Sequence, residues 1–420
     1  MIRRMRKTNT FAALVGACAL TLLFASAARA QTRASVQAPS RCNDAPASPV
    51  TFVPLPGHPF STVASPDGCW LFVSLTTANP KSEDGVALLR RSRGQVEVVK
   101  VFSVEGEPTG MTLTHDGKLL VVANGEYVVF MDAAKMIAGG AGDPVLGYIR
   151  DDENYAGSVY VNTTADDRLL FISDEAVQAI TVVDLPKARA EGFKESAIIG
   201  KIPVGRAPIA LTFSPDGRWL YTTSQIAPED YKWPIECKPE GADPATAQPR
   251  FPQGAIIVVD VERARRDPAN SVAAKVPAGC SPVRLAITPG GERVFVTARN
   301  SNALLGFDTS KFADDPAHAL VGSVPVGTSP VGVAVTNEGK LVFVTNSNRF
   351  SKERNARQTI TVIDASKVGA GASAIMGSIP AGAFPREFGH SPDGRTLFAA
   401  NYNTSELQVI DLARLPLTQK

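Results

Sequence analysis

A turn pattern that recurs seven times restricts the fold of this 420-residue chain more than any other feature. Most copies begin with Ser or Thr and end with an acidic residue followed by Gly. The third residues of successive copies are 48 to 55 positions apart, except for one interval of 74. In six of the seven copies a proline stands eight residues before that third residue. The turns occupy residues 65–68, 114–117, 164–167, 214–217, 288–291, 336–339 and 391–394.

Each repeat contains enough extended sequence for four short strands. One β-rich stretch follows the turn, and a second ends at an acidic residue in six copies, whereas Arg90 holds that position in the first. Asp-Gly pairs favour tight hairpins because glycine accepts a positive φ without steric cost. Four antiparallel strands per repeat are typical of a β-propeller blade. We therefore predict an all-β, seven-bladed propeller rather than a stacked solenoid, whose polar capping repeats are not visible in the sequence.

The last repeat has no room for a fourth strand after Asp411, whereas residues 50–54 form a strand-like segment ahead of the first repeat. We predict that this N-terminal strand lies alongside residues 405–411 and completes the last blade. Such a closure covers the edge that an open sheet would expose. The propeller should then span residues 49–420, with insertions at 225–253 and 346–358 and an N-terminal extension at 31–48.

Segments of the sixth repeat carry a family resemblance: 327–330 (Gly-Thr-Ser-Pro), 342–346 (Val-Phe-Val-Thr-Asn) and 360–364 (Ile-Thr-Val-Ile-Asp). They resemble the YVTN-repeat seven-bladed propellers of exported bacterial proteins. That family overlaps the propeller-type lactonases, which include 6-phosphogluconolactonase and the muconate-lactonizing enzymes. The resemblance extends over about residues 50–415. It implies the propeller fold and leaves open whether the protein is an enzyme.

Residues 1–30 have the features of a secretory signal peptide: a basic start, an apolar stretch at 11–24, and small residues at the cleavage-site spacing. A membrane anchor is the alternative, but the apolar stretch is shorter than the ~20 residues that span a bilayer. A twin-arginine signal at Arg3 and Arg4 and a lipoprotein box at Cys18 also remain open. We expect a soluble monomer without a membrane span, located in the periplasm or secreted.

The charge balance argues against a nucleic-acid partner. Removing the first 30 residues leaves 38 basic and 41 acidic residues, a net charge of −3. Nucleic-acid binders carry a large basic excess. The sequence also lacks a Gly-rich phosphate loop, a Gly-x-Ser-x-Gly elbow, a Cys-x-x-Cys-His haem attachment and paired metal-spaced histidines. We therefore expect neither a cofactor nor a bound metal.

Four cysteines remain after removal of the signal segment, and an even number in an exported protein suggests disulfides. In a propeller, Cys237 and Cys280 should lie on neighbouring loops of one face. Cys42 and Cys69 should both lie at the opposite face, near the seam between the last and first blades. We predict the pairs Cys42–Cys69 and Cys237–Cys280; the alternative leaves one pair reduced.

The first strand of each repeat has a pattern that four positions violate. One and three residues after the proline position stand mostly large apolar residues, and two residues after it stands a small one. This period-two alternation predicts one face packed on a neighbouring blade and the other meeting its neighbour at close range. Tyr160, Arg284 and Glu387 occupy the small position, and Arg386 occupies a large apolar one. His390 replaces an apolar residue deeper in the strand.

Polar residues at core positions need partners or a function. One interpretation is that Arg386 and Glu387 satisfy each other, or pair with Arg284 across the channel. The other is an anion-binding channel mouth that includes Tyr160. We interpret His390 as a hydrogen-bonded structural histidine, or else as part of the same ligand site.

Two function hypotheses follow. In the first, a binding propeller presents the channel mouth on its top face to a small anionic ligand or a protein partner. In the second, a lactonase-type hydrolase uses Arg284 and Arg386 to hold a carboxylate or phosphate, with Glu387 as general base. Segment 384–388 resembles the Pro-Arg segments of lactonase-type propellers, which implies that Arg386 lies by the central cleft. We favour the binding protein.

Overall fold

Seven four-stranded antiparallel sheets form the molecule, which we describe from a computed structural model. The structure describes residues 41–76, 84–140, 142–243 and 245–418. In six of the sheets all strands come from one repeat, whereas the seventh takes its fourth strand from ahead of the first repeat. The first strands of neighbouring sheets pack against each other around the ring. The predicted seven-bladed propeller is confirmed. The predicted signal segment 1–30, with Arg3, Arg4 and Cys18, lies outside the described residues.

The blades follow the repeats in chain order. The strands of the first three are His58–Ala64, Trp70–Thr76, Gly85–Ser92 and Gln95–Phe102; Met111–Leu113, Leu119–Asn124, Tyr127–Asp132 and Val145–Ile149; and Ser158–Thr163, Leu169–Asp174, Ala179–Asp184 and Ile198–Pro203. Blade 4 has a divided first strand, Arg206–Pro208 with Thr212–Phe213, followed by Trp219–Ile226, Ala255–Asp260 and Val272–Pro277. Its insertion carries the hairpin Ile235–Cys237 and Phe251–Pro252.

The last three blades repeat the same arrangement. Their strands are Pro282–Ile287, Arg293–Ala298, Ala303–Asp308 and Leu320–Pro325; Pro330–Val335, Leu341–Asn346, Thr359–Asp364 and Ile375–Pro380; and Pro385–His390, Thr396–Asn401 and Glu406–Asp411. The fourth strand of blade 7 is Val50–Pro54, which pairs antiparallel with Glu406–Asp411 from Val50 opposite Ile410 to Pro54 opposite Glu406. The predicted closure by the N-terminal strand is therefore confirmed.

In blades 2 to 6 the acidic residue at the end of the third strand precedes a short helix. The carboxylates of Asp132, Asp184 and Asp260 accept a hydrogen bond from the backbone N–H three residues on, as N-cap residues do. Those three helices are Ala133–Ala138, Leu185–Glu191 and Val261–Ala264; short 3-10 helices span Arg41–Asn43, Glu195–Ala197, Glu229–Tyr231, Pro268–Asn270, Arg299–Ser301, Thr309–Lys311, Pro316–His318 and Ala365–Ala374.

Blade 1 shows why Arg90 replaces the acid. Its third and fourth strands, Gly85–Ser92 and Gln95–Phe102, are joined directly by a two-residue hairpin at Arg93 and Gly94. No helix begins there, so no N-cap is needed. Arg90 instead forms an exposed ion pair with Glu97 across the two strands, at 2.5 Å.

The hydrophobic core lies between adjacent blades. Side chains from the second and third strands of one sheet pack against those of the next sheet. An aromatic ring occupies the third position of the second strand in six blades and is almost fully buried in each. These rings belong to Phe72, Phe171, Tyr221, Phe295, Phe343 and Phe398. Burying a side chain of this size typically contributes about 1.5–3 kcal/mol, so six of the seven seams are filled by an aromatic ring at the same position.

Both predicted disulfides are present. The Cα atoms are 4.7 Å apart in Cys42–Cys69 and 5.5 Å apart in Cys237–Cys280. The first bond links the segment preceding the closing strand to the turn of blade 1. The second ties the blade 4 insertion to the loop before the first strand of blade 5.

The Cys42–Cys69 bond should stabilise the ring closure. We expect the double variant Cys42→Ser/Cys69→Ser to lose about 2–4 kcal/mol of unfolding free energy, because the bond constrains the unfolded chain. Urea denaturation of the oxidised proteins measures this loss. The control Cys237→Ser/Cys280→Ser should mainly release the insertion. A closure variant as stable as wild type, or a Cys69–Cys237 link in non-reducing peptide maps, would contradict the assignment.

Candidate functional site

A cavity of about 450 Å³ opens at the face where the first strands of the blades begin, which we call the top face. In all seven blades the residue directly after the repeated proline position lines this cavity. Arg386 is the one charged member of the set. Ile209, Val283 and Val331 also pack on one another and form an apolar wall. The seven residues are Phe60, Thr109, Val159, Ile209, Val283, Val331 and Arg386.

These side chains face the channel, although the alternating pattern predicted that they pack against a neighbouring blade. The reason is an irregular pairing just after the proline position, as between Pro282 and Leu285 or between Pro385 and Phe388. Such a bulge re-aims the side chains next to it. The small position meets the neighbouring blade at close range, as predicted. A Cβ atom on Gly332 would lie 2.4 Å from the carbonyl oxygen of Arg386 in the next blade.

Arg386 lies among aromatic rings at the cavity wall. Its guanidinium carbon is 4.0 Å from the ring centre of Phe60, 5.0 Å from that of Phe384 and 5.3 Å from that of Tyr402. Within the described ranges it has no carboxylate partner, and its Nε has no hydrogen-bond partner. Burial, together with the nearby positive charges of Arg284 and Arg349, lowers the pKa of Arg386 to about 9. The guanidinium is therefore protonated at neutral pH and available to an anion.

Glu387 pairs with Arg284 rather than with Arg386. An oxygen of Glu387 lies 2.7 Å from Nη2 of Arg284, and the hydroxyl of Tyr160 donates a hydrogen bond to the other oxygen at 3.0 Å. The guanidinium of Arg284 also lies over the Tyr160 ring, 4.1 Å from its centre. Tyr160, Arg284 and Glu387, which we call the channel cluster, thus join blades 3, 5 and 7 across the channel.

The channel cluster is shielded from water. Arg284 is 5% and Glu387 is 9% exposed. Burial raises the pKa of Glu387, an effect that Arg284 and the Tyr160 hydroxyl oppose, and burial likewise raises the pKa of Tyr160. Arg284 contributes to the cavity lining, whereas Glu387 and Tyr160 do not. Nε and Nη1 of Arg284 have no hydrogen-bond partner in the described part of the chain.

His390 is not brought into this site. It is not among the residues that line the cavity, and no described residue makes a hydrogen bond to its Nδ1. Burial lowers the pKa of His390, which favours a neutral ring. The interpretation as a hydrogen-bonded structural histidine therefore finds no partner for Nδ1 in the structure.

The blade 4 insertion folds over blade 5 on the top face. Arg299 of blade 5 donates hydrogen bonds to both carboxylate oxygens of Glu240 at 2.7 and 2.8 Å, and to Oε1 of Gln225 at 2.6 Å. Gly241 at the tip lies against the ring of Phe350 in the second insertion, where a Cβ atom would be 3.2 Å from the ring. The two insertions therefore meet beside the cavity.

Sequence reasoning missed several charged residues of the cavity lining. Arg299, Glu107 and Glu175 line it along with Arg349 of the insertion at 346–358. Glu107 precedes the first strand of blade 2, and Glu175 follows the second strand of blade 3. Loops at these two positions reach the top face in other blades as well, since Phe384, Arg299 and Arg349 line the same cavity. The charged residues of all such loops are the sequence signal that points to them.

Two further observations concern function. Among the described residues, no group of three or more His, Cys, Asp and Glu side chains lies close enough together to hold a metal ion. The helices within the same ranges are too short or too polar to cross a bilayer.

No family model matches the chain, and no curated protein matches it. Solved structures of similar fold include Kuenenia stuttgartiensis hydrazine synthase, with a TM-score of 0.62 and 19% identity over 86% of this chain and 96% of that chain. A chain of the mitotic checkpoint complex has a TM-score of 0.61 and 14% identity over 90% and 97%. The Cps50 (Swd1) β-propeller domain of Myceliophteria thermophila has a TM-score of 0.57 and 13% identity over 86% and 99%.

The similarity is one of fold. All three structures are less than 20% identical to this chain, so neither an activity nor a ligand is transferred from them. The resemblance to YVTN-repeat and lactonase-type propellers stays a prediction.

Proposed function

We propose that this propeller binds a small organic anion, foremost a carboxylate, in the cavity of its top face. The observation that carries the proposal is Arg386. It is the one charged residue in a ring of seven cavity-lining positions, it is protonated at neutral pH, and no described carboxylate neutralises it. A buried or half-buried cation without a counter-ion is costly, and an anionic ligand would supply the missing charge.

The surroundings of Arg386 suit a ligand with an apolar body. Aromatic rings surround the guanidinium, and the apolar wall of Ile209, Val283 and Val331 lies next to Arg386 in the ring of lining residues. A planar guanidinium binds a carboxylate through two parallel hydrogen bonds. Arg284 already has Glu387 as its counter-ion, so we assign the carboxylate of the ligand to Arg386 rather than to Arg284.

Removing Arg386 should abolish most of the affinity. We expect Arg386→Ala to bind carboxylates at least tenfold more weakly than wild type, because each charge-assisted hydrogen bond contributes about 1.5–3 kcal/mol. Isothermal titration calorimetry with sugar acids, dicarboxylates and short alkanoates measures the change. Arg386→Lys should recover only part of it, since an ammonium group lacks the bidentate geometry.

Arg357 provides a matched control for this experiment. It too lies over an aromatic ring, that of Phe52 at 4.6 Å, but it is outside the cavity and pairs with Glu406 at 2.8 Å. Arg357→Ala should bind the same ligands as wild type does, and Lys352→Ala on the same insertion should change only the salt dependence. If wild type binds no anion of the panel, or if Arg386→Ala binds as well as wild type, the proposal is wrong.

Lactone hydrolysis has less support from the site. As a general base Glu387 would have to reach a water molecule beside the substrate, yet it contacts Arg284 and Tyr160 and does not line the cavity. A lactone-hydrolysis screen of wild type and Glu387→Gln discriminates the two functions. Turnover by wild type that the variant lacks would favour the hydrolase.

We also propose that the protein acts in the periplasm or is secreted. Its two disulfides persist in an oxidising compartment, and the predicted signal segment gives a route of export. Cell fractionation tests this location, and retention in the cytosolic fraction would contradict it.

A further inference from the structure

We propose that the ligand of the top-face cavity is a zwitterion: a carboxylate that also carries an ammonium group. This inference rests on the proposed function and adds the chemical class of the ligand. In it the carboxylate faces Arg386, and the ammonium group faces Glu107, Glu175 and the ring of Tyr155 on the opposite side.

The charges of the cavity lining are separated by blade. Among the described residues of the lining, all of the arginines come from blades 5, 6 and 7, and both of the acids come from loops of blades 2 and 3. In a ring of seven blades, blades 2 and 3 lie across the channel from blade 6. The cavity therefore has a positive side and a negative side. The lining charges are Arg284, Arg299, Arg349 and Arg386 against Glu107 and Glu175.

Local pairing removes two of the positive charges but neither of the negative ones. Glu387 neutralises Arg284, and Glu240 neutralises Arg299. Within the described ranges, Glu107 and Glu175 form no ion pair and no side-chain hydrogen bond. Arg349 and Arg386 therefore remain to bind a ligand on one side, and Glu107 and Glu175 remain on the other. This arrangement is complementary to a dipolar molecule rather than to a simple anion.

Tyr155 adds an aromatic surface on the acidic side. It lines the cavity, is 58% exposed, and its hydroxyl group lies beside Gly125. Burial raises the pKa of Tyr155, and the negative charges of Glu107 and Glu175 raise it further. Two carboxylates beside an aromatic face form an environment that attracts an ammonium group through both charge and cation–π interaction.

The two sides are close enough for a short molecule to bridge them. Burial lowers the pKa of Arg349. The negative charge of Glu175 is near enough to oppose part of this effect. The cavity of about 450 Å³ also limits the ligand to the size of a small metabolite. An amino acid or an ω-amino acid has the required groups at its two ends.

The test compares ligands that differ only in the ammonium group. Glycine, β-alanine, 4-aminobutanoate and 6-aminohexanoate are titrated beside acetate, propanoate, butanoate and hexanoate by isothermal titration calorimetry. We expect at least one amino acid to bind at least tenfold more tightly than the alkanoate of the same length. Glu107→Gln and Glu175→Gln should each reduce this preference several-fold, because each removes one of the charges that face the ammonium group.

A remote charge change controls for net charge. Glu338→Gln removes the same charge from an exposed turn of blade 6, where Glu338 pairs with Lys340, and should keep the wild-type preference. If alkanoates bind through Arg386 but no amino acid binds more tightly, the zwitterion is refuted while the anion site stands. If Glu338→Gln lowers the preference as much as Glu107→Gln does, the acidic side is refuted as a specific site. If neither ligand series binds, both proposals fail.

Discussion

Replacing Glu387 by Ala should destabilise the propeller by about 3–5 kcal/mol, because it leaves Arg284 as a buried charge without a counter-ion. Arg284 is 5% exposed and Glu387 is its ion-pair partner at 2.7 Å. The substitution also removes the acceptor of the Tyr160 hydroxyl. Urea denaturation followed by far-UV circular dichroism measures the loss.

The ion pair Arg90–Glu97 is the matched control, since its side chains are 54% and 59% exposed. Exposed pairs contribute roughly 0–1 kcal/mol, so Glu97→Ala should be nearly neutral. The double variant Arg284→Met/Glu387→Leu should recover most of the stability, because apolar residues of similar volume often replace a buried ion pair without loss. Equal effects of Glu387→Ala and Glu97→Ala would show that the channel cluster is solvated and contributes little.

The sequence was sufficient to predict the features that repeat along the chain and those that follow from the order of the blades. The seven turns predicted the number of blades, the missing strand after Asp411 predicted the closure by residues 50–54, and adjacency on one face predicted both disulfides. These features depend on chain order around a ring and not on the conformation of any side chain. Even the exception at Arg90 has a local cause, since a hairpin replaces the helix that the acid would cap.

The candidate site was only partly predictable, because its contacts cross the ring. The broken pattern correctly singled out Tyr160, Arg284 and Glu387 as unusual, yet the partner of Glu387 could have been either arginine. A bulge after the proline position decides which residues face the channel. The alternation of apolar and small residues along the strand does not reveal that a bulge is present. Glu107 and Glu175 have ordinary loop positions, and only the closed ring brings them to the cavity.

A pair of buried carboxyl groups in blade 3 leads to the second large effect. Asp151 is 2% and Asp174 is 0% exposed, and the two side chains are within hydrogen-bond reach of each other. Ser158 donates a hydrogen bond to Asp151, and Thr181 donates one to Asp174. The other oxygen of each carboxyl group has no donor among the described residues, so a proton shared between them would satisfy both. Burial, with the adjacent negative charge of Asp151, raises the pKa of Asp174 well above its usual range.

The protonated pair should make the protein lose stability as the pH rises. Above the unfolded pKa of about 4, the folded state keeps a proton that the unfolded chain releases. The unfolding free energy should then fall by up to about 1.4 kcal/mol per pH unit until the folded pKa is reached. Below the unfolded pKa both states are protonated, so the full stabilisation is present there.

Asp174→Asn should remove this pH dependence and make the protein more stable than wild type at pH 8. Asparagine holds the equivalent position in blade 6, where Asn346 donates a hydrogen bond to Thr361, so the amide fits the strand. Urea denaturation midpoints between pH 4 and pH 9 measure the difference. In the control Asp152→Asn, the lost group is one whose pKa the hydrogen bond with Lys201 lowers. Its stabilisation is present above the unfolded pKa of about 4 and disappears at acidic pH, so this variant should be less stable than wild type at neutral pH and should keep the decline of stability between pH 5 and pH 9. Parallel pH curves for wild type and Asp174→Asn would show that the two carboxyl groups share no proton in the folded protein.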